Sequence, residues 1–197
     1  REATRLFMTR PATDPAKSDA AIKAAIEKYR QVVDQYPRTS SGQLALFHLG
    51  NALMQANDQP GAIETYQRFI ALYSSQPTLS GLARQRLAYA YLLKGDRDQA
   101  AKTFMSIVES PGTLNKDQAL FELARLEEAQ SRPEGALAHY QELIKSYPTS
   151  PYTNEAMVRV KMLDTKHSAE PASAAPAAST KPSSPEPVKS EPVKKKK

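Results

Sequence analysis

Four alanines, Ala25, Ala62, Ala100 and Ala136, recur at spacings of 37, 38 and 36 residues. Each is followed four residues later by an aromatic, Tyr29, Tyr66, Phe104 and Tyr140, and three residues after that by Val32, Phe69, Ile107 or Leu143. Such spacing lays a small, an aromatic and a bulky apolar side chain on one face of a helix. A helical face repeated at a near-constant interval confines the chain to an architecture that stacks like units. The near-duplicate phrases "KYRQVVDQYPRTS" and "HYQELIKSYPTSP", 111 residues apart, are the outermost copies, three periods from each other. Each copy then meets a proline, Pro37, Pro77, Pro111 or Pro148. Proline lacks a backbone donor and disfavours helical geometry in the residue before it, so the helices are expected to end there.

A second pattern precedes three of these helices: "LFHLGNAL", "RQRLAYAY" and "LFELARLE", centred on Leu49-Gly50, Leu87-Ala88 and Leu123-Ala124. Turn signals follow at Asn57-Asp58, Gly95-Asp96 and Ser131-Arg132-Pro133. The unit is therefore two antiparallel helices joined by a short turn. The small residue after leucine lets the first helix lie close to the second, whose alanine returns the fit.

These residues resemble the tetratricopeptide repeat, whose pattern runs W-x2-L-G-x2-Y, A-x3-F, P. The tryptophan position holds Leu46, Arg84 and Leu120. The resemblance covers roughly residues 18–163 and implies a right-handed α-solenoid, all-α, that binds protein. The longer loops and the "YP.S" ending are similar to cell-envelope members. These are the YfgM-like ancillary subunit of the Sec translocon, the outer-membrane assembly lipoprotein and the Tol-Pal cell-division coordinator. The implied location is the bacterial periplasm or envelope, with the cytoplasm left open. The family's ligand-facing positions fall on Leu44, Phe47, Asn51 and Met54; Leu82, Gln85, Tyr89 and Leu92; Gln118, Phe121, Arg125 and Glu128. Two Phe, a Tyr and a Met there imply a hydrophobic concave groove for a peptide or partner helix, with Phe47, Tyr89 and Phe121 along one line. For Phe47, Leu82, Leu92 and Phe121 a place in the core is an equal alternative. Of the carboxylate clamp of chaperone-binding relatives only Asn51 fits.

The resulting division is a repeat domain over 1–165, with repeats at 1–37, 43–77, 81–112 and 117–148 and a closing helix at 151–164. Residues 1–10 supply the first helix, "PATDPAKSD" is a proline-broken loop, and Ser18 or Asp19 caps the next helix. Ser150 is expected to cap the closing helix with Pro151 at its first turn, its outer face more polar than the others. A sequence that opens with Arg1 inside an amphipathic pattern suggests a segment removed upstream, a signal or an anchor.

Charge separates the last residues from this body. Of a net +6, the last 32 residues hold seven Lys against three Glu, so the body is almost neutral. That tail, 166–197, has six prolines and only two side chains larger than alanine that are apolar, so it is expected to be disordered. Its "VKKKK" end could meet an anionic surface or serve as a soluble linker. No nucleic-acid partner is expected for the body, and membrane contact only through an upstream segment or the tail.

Catalytic chemistry has no foothold. There is no cysteine, and His48, His139 and His167 fall in separate units without ligand spacing. Glu127-Glu128 is a solvated pair, and "LKGDRDQA" is a helix corner and not a metal loop. No phosphate-cradling loop or nucleophile elbow occurs. The reading is a non-catalytic interaction module without cofactor or metal, its oligomeric state open. The rival is a self-assembling scaffold whose basic tail contacts a polyanion.

Overall fold

The computed structural model describes residues 2–8 and 15–169, and within these every regular element is a helix. In chain order they are α1 (Glu2–Met8), α2 (Pro15–Gln35), α3 (Ser40–Gln55), α4 (Gln59–Leu72), α5 (Pro77–Lys94), α6 (Arg97–Glu109), α7 (Lys116–Ala129), α8 (Pro133–Ser146) and α9 (Thr153–Ala169). Each packs on its predecessor and successor, and successive first helices also meet, α3 with α5 and, through side chains, α5 with α7 and α7 with α9. That is the contact pattern of a solenoid: helix pairs α1/α2, α3/α4, α5/α6 and α7/α8, with α9 closing the row.

The recurring residues are the core. Ala25, Ala62, Ala100 and Ala136 have no exposed surface, and Tyr29, Tyr66, Phe104 and Tyr140 have almost none. Leu49, Leu87 and Leu123 are buried with the small residues beside them, Gly50, Ala88 and Ala124. The need for a small residue is measurable at Gly50, where a Cβ would lie 2.5 Å from Cε1 of Tyr66. A further alanine in each first helix, Ala45, Ala83, Ala119 and Ala156, is also buried and had not been singled out.

Within the pairs the turns share one geometry. Asn57, Gly95 and Ser131 take left-handed backbone angles, with φ of 57°, 87° and 56°. The next amide reaches back to the carbonyl five residues earlier: Asp58 to Leu53, Asp96 to Tyr91, Arg132 to Glu127. This pairing satisfies carbonyls that the helix end leaves open. Asp58 and Asp96 then start the second helix, accepting from the amides of Gly61 at 2.9 Å and Gln99 at 3.1 Å. Between pairs the "YP" phrase is also a turn: the amides of Thr39, Gln76 and Ser150 donate to the carbonyls of Tyr36, Tyr73 and Tyr147. Thr39 caps α3 by accepting from Gly42 at 3.1 Å.

Several boundaries differ from those read in the sequence. Pro77 does not end α4, which stops at Leu72, but opens α5. Pro15 likewise opens α2, ahead of Ser18 and Asp19, because a proline in the first turn forfeits no hydrogen bond. The closing helix starts at Thr153, not beside Ser150. The Ser150 hydroxyl instead accepts from the Tyr152 amide and donates to Asp117. It continues to Ala169, past the expected end at residue 164. The outer face of α9 is not polar, since Met157, Val158 and Met162 are 43, 50 and 54% exposed. Residues 1, 9 and 10 of the expected first helix, 11–14 of the expected loop and 170–197 of the expected tail lie outside the described residues.

Two substitutions probe these features by thermal melting. Ala100→Leu overpacks a contact with no free surface and should lose about 1–3 kcal/mol. Gly95→Ala meets nothing within 4 Å, so its expected loss of about 1–2 kcal/mol comes from the left-handed backbone alone. A parental melting curve for Ala100→Leu would refute the repeat register. One for Gly95→Ala would refute the turn's dependence on glycine.

Candidate functional site: the face of the first helices

The ligand-facing positions read from the sequence lie on α3, α5 and α7, and the structure divides them into two regions. On α7 and α9 the face is occupied by its own side chains. Phe121, expected as an anchor, is 5% exposed. Its ring stacks on Tyr152 at 5.1 Å and leans on Tyr140 at 5.8 Å. It is core, because the start of the closing helix covers it. Arg125 is exposed and pairs with Glu122 at 3.3 Å. Glu128 pairs with Arg159 of α9 at 3.4 Å, and Arg159 also reaches Glu155. The Tyr140 hydroxyl is buried beside Glu128, and burial followed by that carboxylate pushes its pKa up.

Tyr89 of α5 belongs to the same network. Its hydroxyl donates to Glu122 Oε1 at 2.9 Å and accepts from Gln118 Nε2 at 3.0 Å, both on α7. Its ring meets Phe104 edge-on at 5.6 Å. Burial, then the Glu122 charge and hydrogen bond, push its pKa up to about 12. Tyr89 is therefore a neutral strut between first helices, with its hydroxyl already used. Gln85 and Leu92 beside it are half-buried.

The α3 end is different. Leu44 is 53% and Leu82 is 39% exposed, while Phe47 and Met54 are half-buried. Phe47 lies edge-on to Tyr66 and Phe69 at 6.2 and 5.6 Å, so it is partly core and partly surface. Asn51 is engaged, accepting from the Tyr66 hydroxyl at 2.7 Å. Between α1, α2 and α3 opens a cleft of about 580 Å³ with Met8, Tyr29, Val32, Leu44 and His48 among its walls. The expected line of Phe47, Tyr89 and Phe121 is thus not a row of free rings. The apolar surface instead gathers at Leu44, Leu82 and the cleft.

His48 is the residue that sequence reasoning missed, having been weighed only as a metal ligand. Its signal was its place four residues after Leu44, one turn along the same face. Its ring stacks on Tyr29 at 5.8 Å and meets Phe47 edge-on at 6.0 Å. Burial holds its pKa below the usual value, so the folded chain keeps it neutral where the unfolded chain takes a proton. Stability should therefore fall as the pH drops below about 6.5, the unfolded value, and level off below the depressed folded one. Melting from pH 7.5 to 5 should show this fall, and His48→Gln should flatten it; superimposable profiles would rule His48 out as its source.

Among the described residues no group of three or more His, Cys, Asp or Glu converges as a metal would require, and no helix is long and apolar enough to cross a membrane.

Comparison with known proteins gives consistent relatives. Residues 15–170 match the family described as YfiO, outer membrane lipoprotein. The outer membrane protein assembly factor BamD of Caulobacter vibrioides is 26% identical over 140 residues, 71% of this chain but 36% of that protein. The chain thus spans little more than a third of that relative's length. The crystal structure of MamA overlays with a TM-score of 0.54 at 20% identity, covering 80% of this chain and 95% of that one. A tetratricopeptide repeat protein from Parabacteroides merdae overlays at 0.57 and 14% identity, covering 85% and 62%. TPR-like repeats of a Podosopora anserina putative kinesin light chain overlay at 0.59 and 15%, covering 84% and 83%. At such identities the overlays establish the solenoid fold alone.

Proposed function

The chain belongs to the YfiO outer membrane lipoprotein family, and we propose that it captures a peptide or partner helix on the open, α3 end of its first-helix face. A helical-repeat protein-interaction module of the bacterial cell envelope is the coarse reading that family and fold support. Of the three envelope types the sequence resembles, the outer-membrane assembly lipoprotein is the one matched. The BamD relative, an outer membrane protein assembly factor, makes envelope biogenesis the setting of the proposal. The family's description extends it to membrane attachment.

The observation that carries the reading is the contrast between the two ends of the face. Toward α9 the charges and hydroxyls bond to one another, so a ligand there would first break Tyr89–Glu122 or Glu128–Arg159. Toward α3, Leu44 stands in solvent in the wall of the cleft, and Leu82 at the start of α5 is exposed as well. Solvated apolar surface of this kind gains on burial about 25 cal/mol per Å², and exposed leucines flanking a half-buried ring suit an apolar side chain on an extended peptide or helix.

Photo-crosslinking in envelope preparations tests it. A crosslinker at position 44 or 82 should trap a protein partner, and one at position 125 should trap none. Leu44→Asp with Leu82→Asp should weaken capture by about 1–2 kcal/mol or more while helicity is retained. Crosslinks arising only from position 125, or capture undiminished in the double variant, would move the site elsewhere.

A further inference from the structure

Each first helix carries a one-turn stripe toward the second helix that follows. The stripes are Leu46 to Gly50, Arg84 to Ala88 and Leu120 to Ala124. Ala88 and Ala124 have no exposed surface, and Gly50 lies against the Tyr66 ring. Continuing the register by 37 residues from Leu120, Phe121 and Ala124 gives Met157, Val158 and Lys161 on α9. These three, with Asn154 and with Ile144 of α8, line an apolar trough of about 500 Å³. The seat that receives α4, α6 and α8 is thus built a fourth time, with lysine where the others hold glycine or alanine.

We infer that this seat takes one helix of a different protein, carrying an apolar stripe over Met157, Val158 and Ile144 and a carboxylate where α4, α6 and α8 carry their aromatic. Lysine sets the second condition. At Gly50 a Cβ alone would come within 2.5 Å of the Tyr66 ring, so the whole Lys161 side chain excludes a ring docked in that way. Its stem can lie along the apolar trough with the ammonium at the edge, where a carboxylate pairs with it. The seat's continuity with three occupied ones sets the first condition, that the occupant be a helix. The stretch from Pro171 to Pro192 is poorly suited to supply it: a two-turn helix needs about seven consecutive residues without an interior proline, and no two successive prolines there have more than five residues between them. This seat is built from α8 and α9, remote from the cleft of α1 to α3, and stands or falls apart from the proposed function.

The test uses the chain's own second helix as probe. Two 14-residue peptides with the α8 sequence, Pro133–Ser146, stapled on the solvent side, are prepared, one unchanged and one with Tyr140→Glu. Both are titrated by fluorescence anisotropy against the full chain and its Lys161→Ala variant. The chain should prefer the Tyr140→Glu peptide by about tenfold or more, and Lys161→Ala should reverse the order. Met157→Asp should weaken the preferred peptide by about tenfold with the circular dichroism spectrum unchanged. Equal affinity for the two peptides, absence of binding by either, or a preference that Lys161→Ala leaves intact would overturn the proposal. A concentration-dependent dimer dissolved by Met157→Asp would assign the face to a second copy and overturn it equally.

Discussion

The approach of a small residue on the first helix to an aromatic on the second is the contact from which the rest of the structure follows. At Gly50 the Tyr66 ring lies where a side chain would begin, and Ala88 and Ala124 hold the equivalent position with no exposed surface. An aromatic placed so deep buries a large apolar area, but a tyrosine brings a hydroxyl that burial would otherwise leave unsatisfied. Tyr66 resolves this by donating to Asn51, the residue after the small one. The same position in the next repeat is Tyr89, which packs on Phe104, a ring with no hydroxyl to satisfy. In the third, the Tyr140 hydroxyl lies among Glu128, Arg159 and Arg125. The core thus dictates what its neighbours on the first-helix face can be.

From that dependence comes the division of the face. On α7 and α9 the charges pair off, Arg125 with Glu122 and Arg159 with Glu128, and Glu122 also accepts from Tyr89. Partly exposed pairs of this kind contribute little each, on the order of 0–1 kcal/mol. A ligand competing for one of them must nonetheless replace geometry that already exists. Where the core aromatic is satisfied by a single amide, as at Asn51, no such network forms, and Leu44, Leu82 and the cleft face solvent. Openness to a ligand is a by-product of how little polar chemistry the α3/α4 core demands.

The repeat was legible in the sequence because its determinants are local. Ala62 to Tyr66 to Phe69 is a spacing within one helix, and left-handed turns at Asn57 and Gly95 are marked by residues suited to them. Ser131 takes the same backbone without that signature, and only its alignment with the other two corners gave it away. The face was less legible because its state depends on partners from neighbouring repeats. Tyr89 looks like a free aromatic until Gln118 and Glu122, 29 and 33 residues on, take its hydroxyl. Phe121 looks like an anchor until Tyr152, in the turn just ahead of the closing helix, stacks on it. Each contact crosses from one repeat unit to the next, so the unit that holds the ring does not encode it. Proline misled for a related reason. It is as well suited to opening α5 as to ending α4, and the choice rested on where the preceding turn's hydrogen bonds closed.

A solenoid's stability is close to a sum of neighbour-to-neighbour terms, so its ends respond to events that its middle does not feel. The cleft between α1, α2 and α3 lies among the first of the described helices. One wall belongs to α1, seven residues long, tied to α2 through Ala3 and a 3.3 Å hydrogen bond from Tyr29 to Thr4. The contacts of α1 with α2 help to hold this wall in place. Occupancy of the cleft would stabilise α1 by mass action and leave α5 to α9 almost untouched. Ligand binding in the cleft and the packing of α1 on α2 are then one equilibrium.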